Sequence, residues 1–359
     1  MTAVTEECPG RFWRLFHHSH SALCCSLRAS KYSLRLGFPP KGCLRVPTSL
    51  SILRTVSSRL PLRRAFTLGG FVRCKVLVLI PFLLVQTAIA ARPEVKGGFF
   101  TTSDGVRLHY LEAGRGPGIL FEPGWTMPAW IWDLQVQHFA EHYHVVALDP
   151  RSQGDSDKRP DGNYPERRAQ DINEVVEHLK LSPVVLVGWS LGVNELLTYA
   201  ERYGGSHVRA YVLVDGFASD KQDPQFISTI LGLYRQVQTN RRDFTEIFVR
   251  SMYKKPQPED YIARVIEASM QMPTDSAVAV SVSTITRADW RLAIAKLDRP
   301  VLIACETAMK RPAADLIKYM VPSTRVELFD NAGHALFVDD SSRFNTVLDD
   351  FLNHLPPQE

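Results

Sequence analysis

A series of short apolar runs, separated by helical patterns, limits what this 359-residue chain can fold into. From Gly118 on, "GILFEPG" (118–124), "HVVALDPRSQGDS" (144–156), "PVVLVGWS" (183–190), "AYVLVDG" (210–216), "PVLIAC" (300–305) and "TRVELFDNAGH" (324–334) follow one another. Before them, "GFFTTSDGVRLHYLEAG" (98–114) reads as two strands about an Asp104-Gly105 turn. Helical spacing lies between the runs, as in Arg168–Leu179 and Leu191–Arg202. Continuous apolar strands alternating with helices predict an α/β fold with a mostly parallel sheet covered on both faces. The rhythm stops between Phe217 and Arg299, where helical stretches fall near 224–238, 243–253 and 258–270. This interval is read as a helical cap over the carboxyl edge of the sheet, the edge at which open α/β folds bind ligands. The expected divisions are a leader (1–91), a first core segment (92–216), the cap (217–292) and a second core segment (293–359).

Charge divides the chain at residue 91. The leader holds thirteen Lys or Arg against Glu6 and Glu7, and the remainder holds 29 basic and 36 acidic residues. The overall +4 therefore argues for no nucleic-acid partner of the folded part. Five of the six cysteines also precede residue 91, and Cys305 alone follows, so the globular part forms no internal disulfide. Within the leader, Arg73 and Lys75 precede an apolar run from Val76 to Ala90 that ends in Ala88-Ile89-Ala90. That is the layout of a cleaved export signal, and the run is short for a membrane span. Export to a periplasm or the exterior is expected, with an organellar or membrane-anchored location as the alternatives. Processing would leave no membrane span.

The run at 184–193 carries G-x-S-x-G as Gly188-Trp189-Ser190-Leu191-Gly192. A buried strand before it and a helix after it give the context in which this motif is a sharp turn presenting a serine at the sheet edge. A serine hydroxyl needs a base to take its proton. His334, in a Gly-His loop after the last strand, is the candidate, because neutral imidazole is available near pH 7.

With these motifs the chain resembles the alpha/beta-hydrolase fold family over 97–359. "FEPGWTMPAWIW" (121–132) falls at its oxyanion loop, "DPRSQGDS" (149–156) at its Asp-x-Arg-x-x-Gly-x-Ser turn, and "NAGHALFVDDSSRFNTVLDDFL" (331–352) at its histidine segment and last helix. The similarity is to the cap-bearing branch with esterases, cofactor-free haloperoxidases, C–C hydrolases and dehalogenases. Dehalogenases and epoxide hydrolases carry an aspartate at the elbow, so Ser190 argues against both chemistries. The resemblance implies that the backbone N–H groups of Trp125 and Leu191 form the oxyanion hole. Two departures stand out: Pro123 where a histidine commonly precedes Gly124, and Val193 where another glycine is common. Trp130 and Trp189 are candidates for the wall of a substrate pocket, with core packing the alternative for Trp130 and Trp132.

The third member of the triad is not where many relatives place it, since the loop after "VLIAC" reaches Met309 with no aspartate before Asp315. The preceding strand ends in Asp215, and some cap-bearing relatives take their acid there. Asp215 is the expected acid, with Glu306, or water and no acid, as the alternatives. Asp149 is also a strand-tip aspartate, read as structural because of the turn motif around it. "HFAEH" (138–142) fits a zinc-peptidase pattern but sits on a helix bordering the sheet, and solvated helix-end histidines with no metal are expected.

The function expected is a serine hydrolase that needs no cofactor and cleaves an ester, lactone or related acyl bond of a small, apolar substrate. Cofactor-free haloperoxidase, perhydrolase or C–C hydrolase chemistry on the same triad is the alternative. A ligand-binding homologue without catalysis is the alternative of another class. Oligomeric state is not legible in the sequence.

Overall fold

Lys96–Thr101 (β1) and Arg107–Ala113 (β2) form an antiparallel hairpin at one edge of an eight-stranded sheet. The computed structural model describes residues 93–216, 224–287, 289–307 and 319–357. The basic leader with its 76–90 apolar run, residues 217–223 of the expected cap, Met309 and Asp315 lie outside the described residues. Among the described residues, no helix is long and apolar enough to cross a membrane.

The remaining strands are Gly118–Glu122 (β3), His144–Leu148 (β4), Val184–Trp189 (β5), Val208–Val214 (β6), Val301–Glu306 (β7) and Arg325–Phe329 (β8). Their order is β1-β2-β4-β3-β5-β6-β7-β8, with β2 antiparallel to β4 and every later pair parallel. β3 and β5 are central and buried along their whole length, which is why their sequences run apolar without alternation.

Two cores flank the sheet, and strand alternation assigns side chains to each. Phe121, Val185, Val187, Trp189, Val212 and Val214 face one core, closed by Asp133–Phe139 (α1) and the C-terminal helix. Leu120, Leu186 and Leu213 face the other, closed by Pro165–His178 (α2) and Leu191–Tyr203 (α3). Among the described residues between β6 and β7 lie four long helices, Pro224–Thr239 (α4), Arg241–Ser251 (α5), Glu259–Gln271 (α6) and Thr274–Ile285 (α7), and one short one. The short helix, Arg291–Ile294 (α8), leads into β7. Leu336–Asp339 (α9) and Ser341–Asn353 (α10) follow β8.

Three insert helices match the stretches read from the sequence. α7 is additional, since its residues "TDSAVAVSVSTI" have strand-like composition. It is held as a helix by tertiary contact: Ala277 and Val280 pack on Leu191 and Trp125.

Candidate active site

β5 delivers Ser190 to the sheet edge and α3 begins at the next residue. The turn between them forces Ser190 to φ 56°, ψ −115°, a region that is costly for a residue with a side chain. Its N–H is held by Val214 O at 2.9 Å. The bend leaves no room for side chains around it. A Cβ on Gly188 would come 2.7 Å from Gly192 O, and one on Gly192 would come 2.8 Å from Glu122 O. The departure at Val193 has a structural counterpart: a Cβ on Gly216 would lie 2.3 Å from Val193 Cγ2. Val193 fits because residue 216 is glycine.

His334 reaches the serine from the loop after β8. Its Nε2 lies 2.9 Å from Ser190 Oγ, and its Nδ1 lies 2.7 Å from Asp215 Oδ2. A carboxylate at Nδ1 selects the tautomer that carries its proton there, so Nε2 is free to accept from the serine. The histidine loop is fixed on several sides. Trp189 Nε1 donates to His334 O at 2.9 Å, and Ala335 N donates to Met252 O at 2.9 Å. Asp339 Oδ2 accepts from Gly333 N at 2.8 Å and from Lys254 N at 2.7 Å. The insert thus grips the loop through its 252–254 segment.

Asp215 sits at the tip of β6 with φ 43°. Its N–H donates to Ala304 O at 2.8 Å, and Glu306 N donates to its Oδ1 at 2.9 Å. Burial pushes the Asp215 pKa up; the hydrogen bond and charge of His334 and the Glu306 N–H pull it down. Of the two acids read from the sequence, Asp215 is the one at the histidine, and Glu306 contributes a backbone donor to it. Cys305, beside them, is buried, and its thiol is pushed up to about 12 by that burial.

Leu191 opens α3, so its N–H is one of the four that a helix leaves without an internal carbonyl. Trp125 follows Gly124, where a Cβ would come 3.1 Å from Ser190 Cβ. The Gly124–Trp125 loop therefore lies directly against the Ser190 turn. Pro123, which has no N–H, is buried behind it. The Trp125 indole is clamped under the insert by Ala277 O at 2.7 Å and by edge contacts with Phe244 and Phe248.

One pocket assignment is corrected. Trp189 is 1% exposed and packs into the core against Phe337, with its indole N–H committed to the histidine loop. It is a support beneath the site and not a wall of it. The signal was available, because strand alternation places Trp189 with Val185 and Val187. Trp130 is half-buried and held by α6, with Arg264 Cζ 3.7 Å above its ring and Tyr261 edge-on. It anchors the insert. Trp132 stacks on Phe337 within the core.

The histidines of "HFAEH" serve elsewhere. His138, exposed in the last turn of α1, pairs with Asp349 of α10 at 2.6 Å. His142 is exposed. Among the described residues, His109, Asp149 and Asp155 are the group close enough to share a cation. Asp149 is already occupied: it bonds His109 Nδ1 at 2.7 Å, Asp155 N at 2.9 Å and Ala129 N. This is the structural role read from its turn motif.

The model of the Alpha/beta hydrolase family matches residues 119–347. The chain belongs to that family. An alpha/beta hydrolase of this build has relatives among halogenating and ester-cleaving enzymes. It is 33% identical over 153 residues to a non-heme haloperoxidase from Rhodococcus erythropolis, a match covering 41% of this chain and 56% of that protein. It is 26% identical to a non-heme chloroperoxidase from Kitasatospora aureofaciens, covering 70% of this chain and 98% of the relative. It is 38% identical over 120 residues to a bifunctional esterase/perhydrolase from Acinetobacter calcoaceticus, covering 33% of this chain and 44% of that one. Among solved structures, an esterase from Exiguobacterium antarcticum superposes with a TM-score of 0.67 at 23% identity, covering 72% of this chain and all of the other. A bromoperoxidase from Bacillus anthracis gives 0.67 at 20% identity, with the same coverage. These two similarities show the fold. Family and relatives together support a hydrolase.

Proposed function

We propose that this alpha/beta hydrolase is a serine esterase, acting on a carboxylic ester, a lactone or a closely related acyl bond. The relay of Ser190 Oγ, His334 Nε2, His334 Nδ1 and Asp215 Oδ2, at 2.9 and 2.7 Å, carries this reading. Ser190 attacks the acyl carbon as His334 takes its proton. Asp215 holds the ring and stabilises the imidazolium. The N–H groups of Leu191 and Trp125 receive the oxyanion, and donors fixed before reaction are worth more than donors that must reorient. His334 then protonates the departing alkoxide. Water, activated by the same ring, cleaves the acyl-enzyme and restores the serine.

The test is 4-nitrophenyl acetate turnover by the full chain and its Ser190→Ala variant, together with fluorophosphonate labelling. Turnover and labelling that both vanish with Ser190 support the reading. Turnover unchanged by Ser190→Ala overturns it.

A second activity on the same acyl-enzyme is favoured by the haloperoxidase and esterase/perhydrolase relatives. Hydrogen peroxide in place of water attacks the acyl carbon, releasing a peracid and regenerating the serine hydroxyl. Bromination of monochlorodimedone that requires acetate, peroxide and bromide (which the peracid oxidises to hypobromous acid), and is lost in Ser190→Ala, is the signature of this activity.

A further inference from the structure

Arg241, the first residue of α5, is enclosed beneath the insert without a counter-charge. Its Cζ lies 5.5 Å from the centre of the Trp125 ring, and its Nη2 donates to Ser269 O at 3.0 Å. Its Nε and Nη1 are buried and meet no acceptor. Among the described residues no carboxylate pairs with it, whereas neighbouring Arg242 pairs with Glu267 at 2.8 Å. Burial depresses the guanidinium to about 10, with no opposing charge to lift it. A buried cation with unmet donors is unfavourable unless something pairs with it.

The location of this cation gives it meaning. The indole it covers belongs to the oxyanion loop and packs with Leu191, Met272, Ala277 and Val280. Ser269, which takes the one bond from Arg241, also bonds Thr126 through its hydroxyl at 2.7 Å. The guanidinium is thus one ring away from both residues assigned to the oxyanion. It retains donors in the planar fork that suits a carboxylate.

We infer that Arg241 receives a carboxylate on the acyl portion of the substrate, so that the preferred substrates are monoesters of dicarboxylic acids or lactones that carry a free carboxylate. This inference rests on the esterase reading above and narrows it. Simple apolar esters would still react, without the anchoring bond.

The experiment compares 4-nitrophenyl hemiglutarate with 4-nitrophenyl butyrate, which present acyl chains of similar length with and without the terminal charge. The native enzyme is expected to favour the hemiglutarate in kcat/KM. Arg241→Gln should lower that preference by about ten- to hundredfold, the value of a charge-assisted bond, chiefly through KM. Arg242→Gln, on the exposed pair, should leave the preference intact. An unchanged preference in Arg241→Gln overturns the inference. Arg241→Lys serves where the glutamine variant does not fold: it keeps the charge, loses the fork and should show an intermediate preference. If neither ester is cleaved, the esterase reading fails by itself. Glutarate binding then tests Arg241 alone by calorimetry on Ser190→Ala. Binding that requires Arg241 sustains the anion site, and no binding overturns it.

Discussion

The indole N–H of Trp189 donates to the backbone carbonyl of His334 at 2.9 Å, linking the residue before Ser190 to the histidine opposite it. The bond joins the end of β5 to a loop more than a hundred residues away in sequence, so it holds the gap between Oγ and Nε2 independently of the bonds His334 makes to Ser190 and Asp215. Trp189→Phe keeps most of the buried volume and deletes the donor. A net hydrogen bond is worth about 1 kcal/mol. The expected result is a several-fold slower rate of fluorophosphonate labelling, with the melting temperature lowered by only a few degrees. A labelling rate equal to the native one would show that the loop is fixed without this bond.

Asp215 and Glu306 separate cleanly by mutation. Asp215→Asn preserves the shape but presents an amide to Nδ1, which favours the wrong tautomer. A fall in kcat of about 10⁴ is the known scale for that change in a serine triad. Glu306→Gln leaves the backbone N–H that supports Asp215, so kcat should change by less than about threefold. Steady-state kinetics on a 4-nitrophenyl ester reads both variants, and a reversed order would move the acid to Glu306.

The elbow and the sheet were legible because each leaves a local mark. β3 and β5 run apolar since both faces are covered, and Gly188 and Gly192 flank Ser190 because no Cβ fits there. What was not legible depends on contacts between distant segments. α7 reads like a strand until Trp125 and Leu191 are packed against it. Val193 looks like a defect in the motif until Gly216 is placed opposite. Trp189 looks like a pocket residue if its neighbour Ser190 is considered and the strand's two-residue period is not. Arg241 and Asp339 carry no motif, and their roles come entirely from what surrounds them.

Asp339 illustrates this dependence and gives a third prediction. Its Oδ2 accepts from Gly333 N and Lys254 N, and its Oδ1 accepts from Gln257 Nε2 at 2.9 Å. One buried carboxylate therefore ties the histidine loop to the segment between α5 and α6. Asp339→Ala strands these donors, at about 1–3 kcal/mol for a buried group left unpaired. Urea unfolding should show a loss of that order. kcat should fall in Asp339→Ala and recover in large part in Asp339→Asn, whose amide oxygen can still accept from Gly333 N. A stability loss with kcat unchanged would mean that the loop keeps its position without the clip.

Beneath the elbow, Glu122 ends β3 fully buried, with neither carboxyl oxygen reaching an N–H donor. It faces Glu195 of α3, whose carboxylate Arg168 holds at 2.8 Å. Burial, followed by the charge of Glu195, pushes the Glu122 pKa well above its ordinary value of 4.5, and Arg168 offsets only part of this. Two acids in contact are best satisfied by one shared proton. The sign follows from linkage. Below pH 4.5 Glu122 is protonated whether the chain is folded or not. Above it the unfolded chain releases a proton that the native state retains, so this group makes stability fall as pH rises toward the folded pKa. Glu122→Gln keeps the shape and a donor for Glu195 while removing the titration. The variant should melt higher than the native protein at pH 7, and its advantage should shrink steadily on acidification and vanish near pH 4. Melting curves across that range provide the check. A constant difference at every pH would mean that Glu122 is ionised in the folded protein and that the proton is not held there.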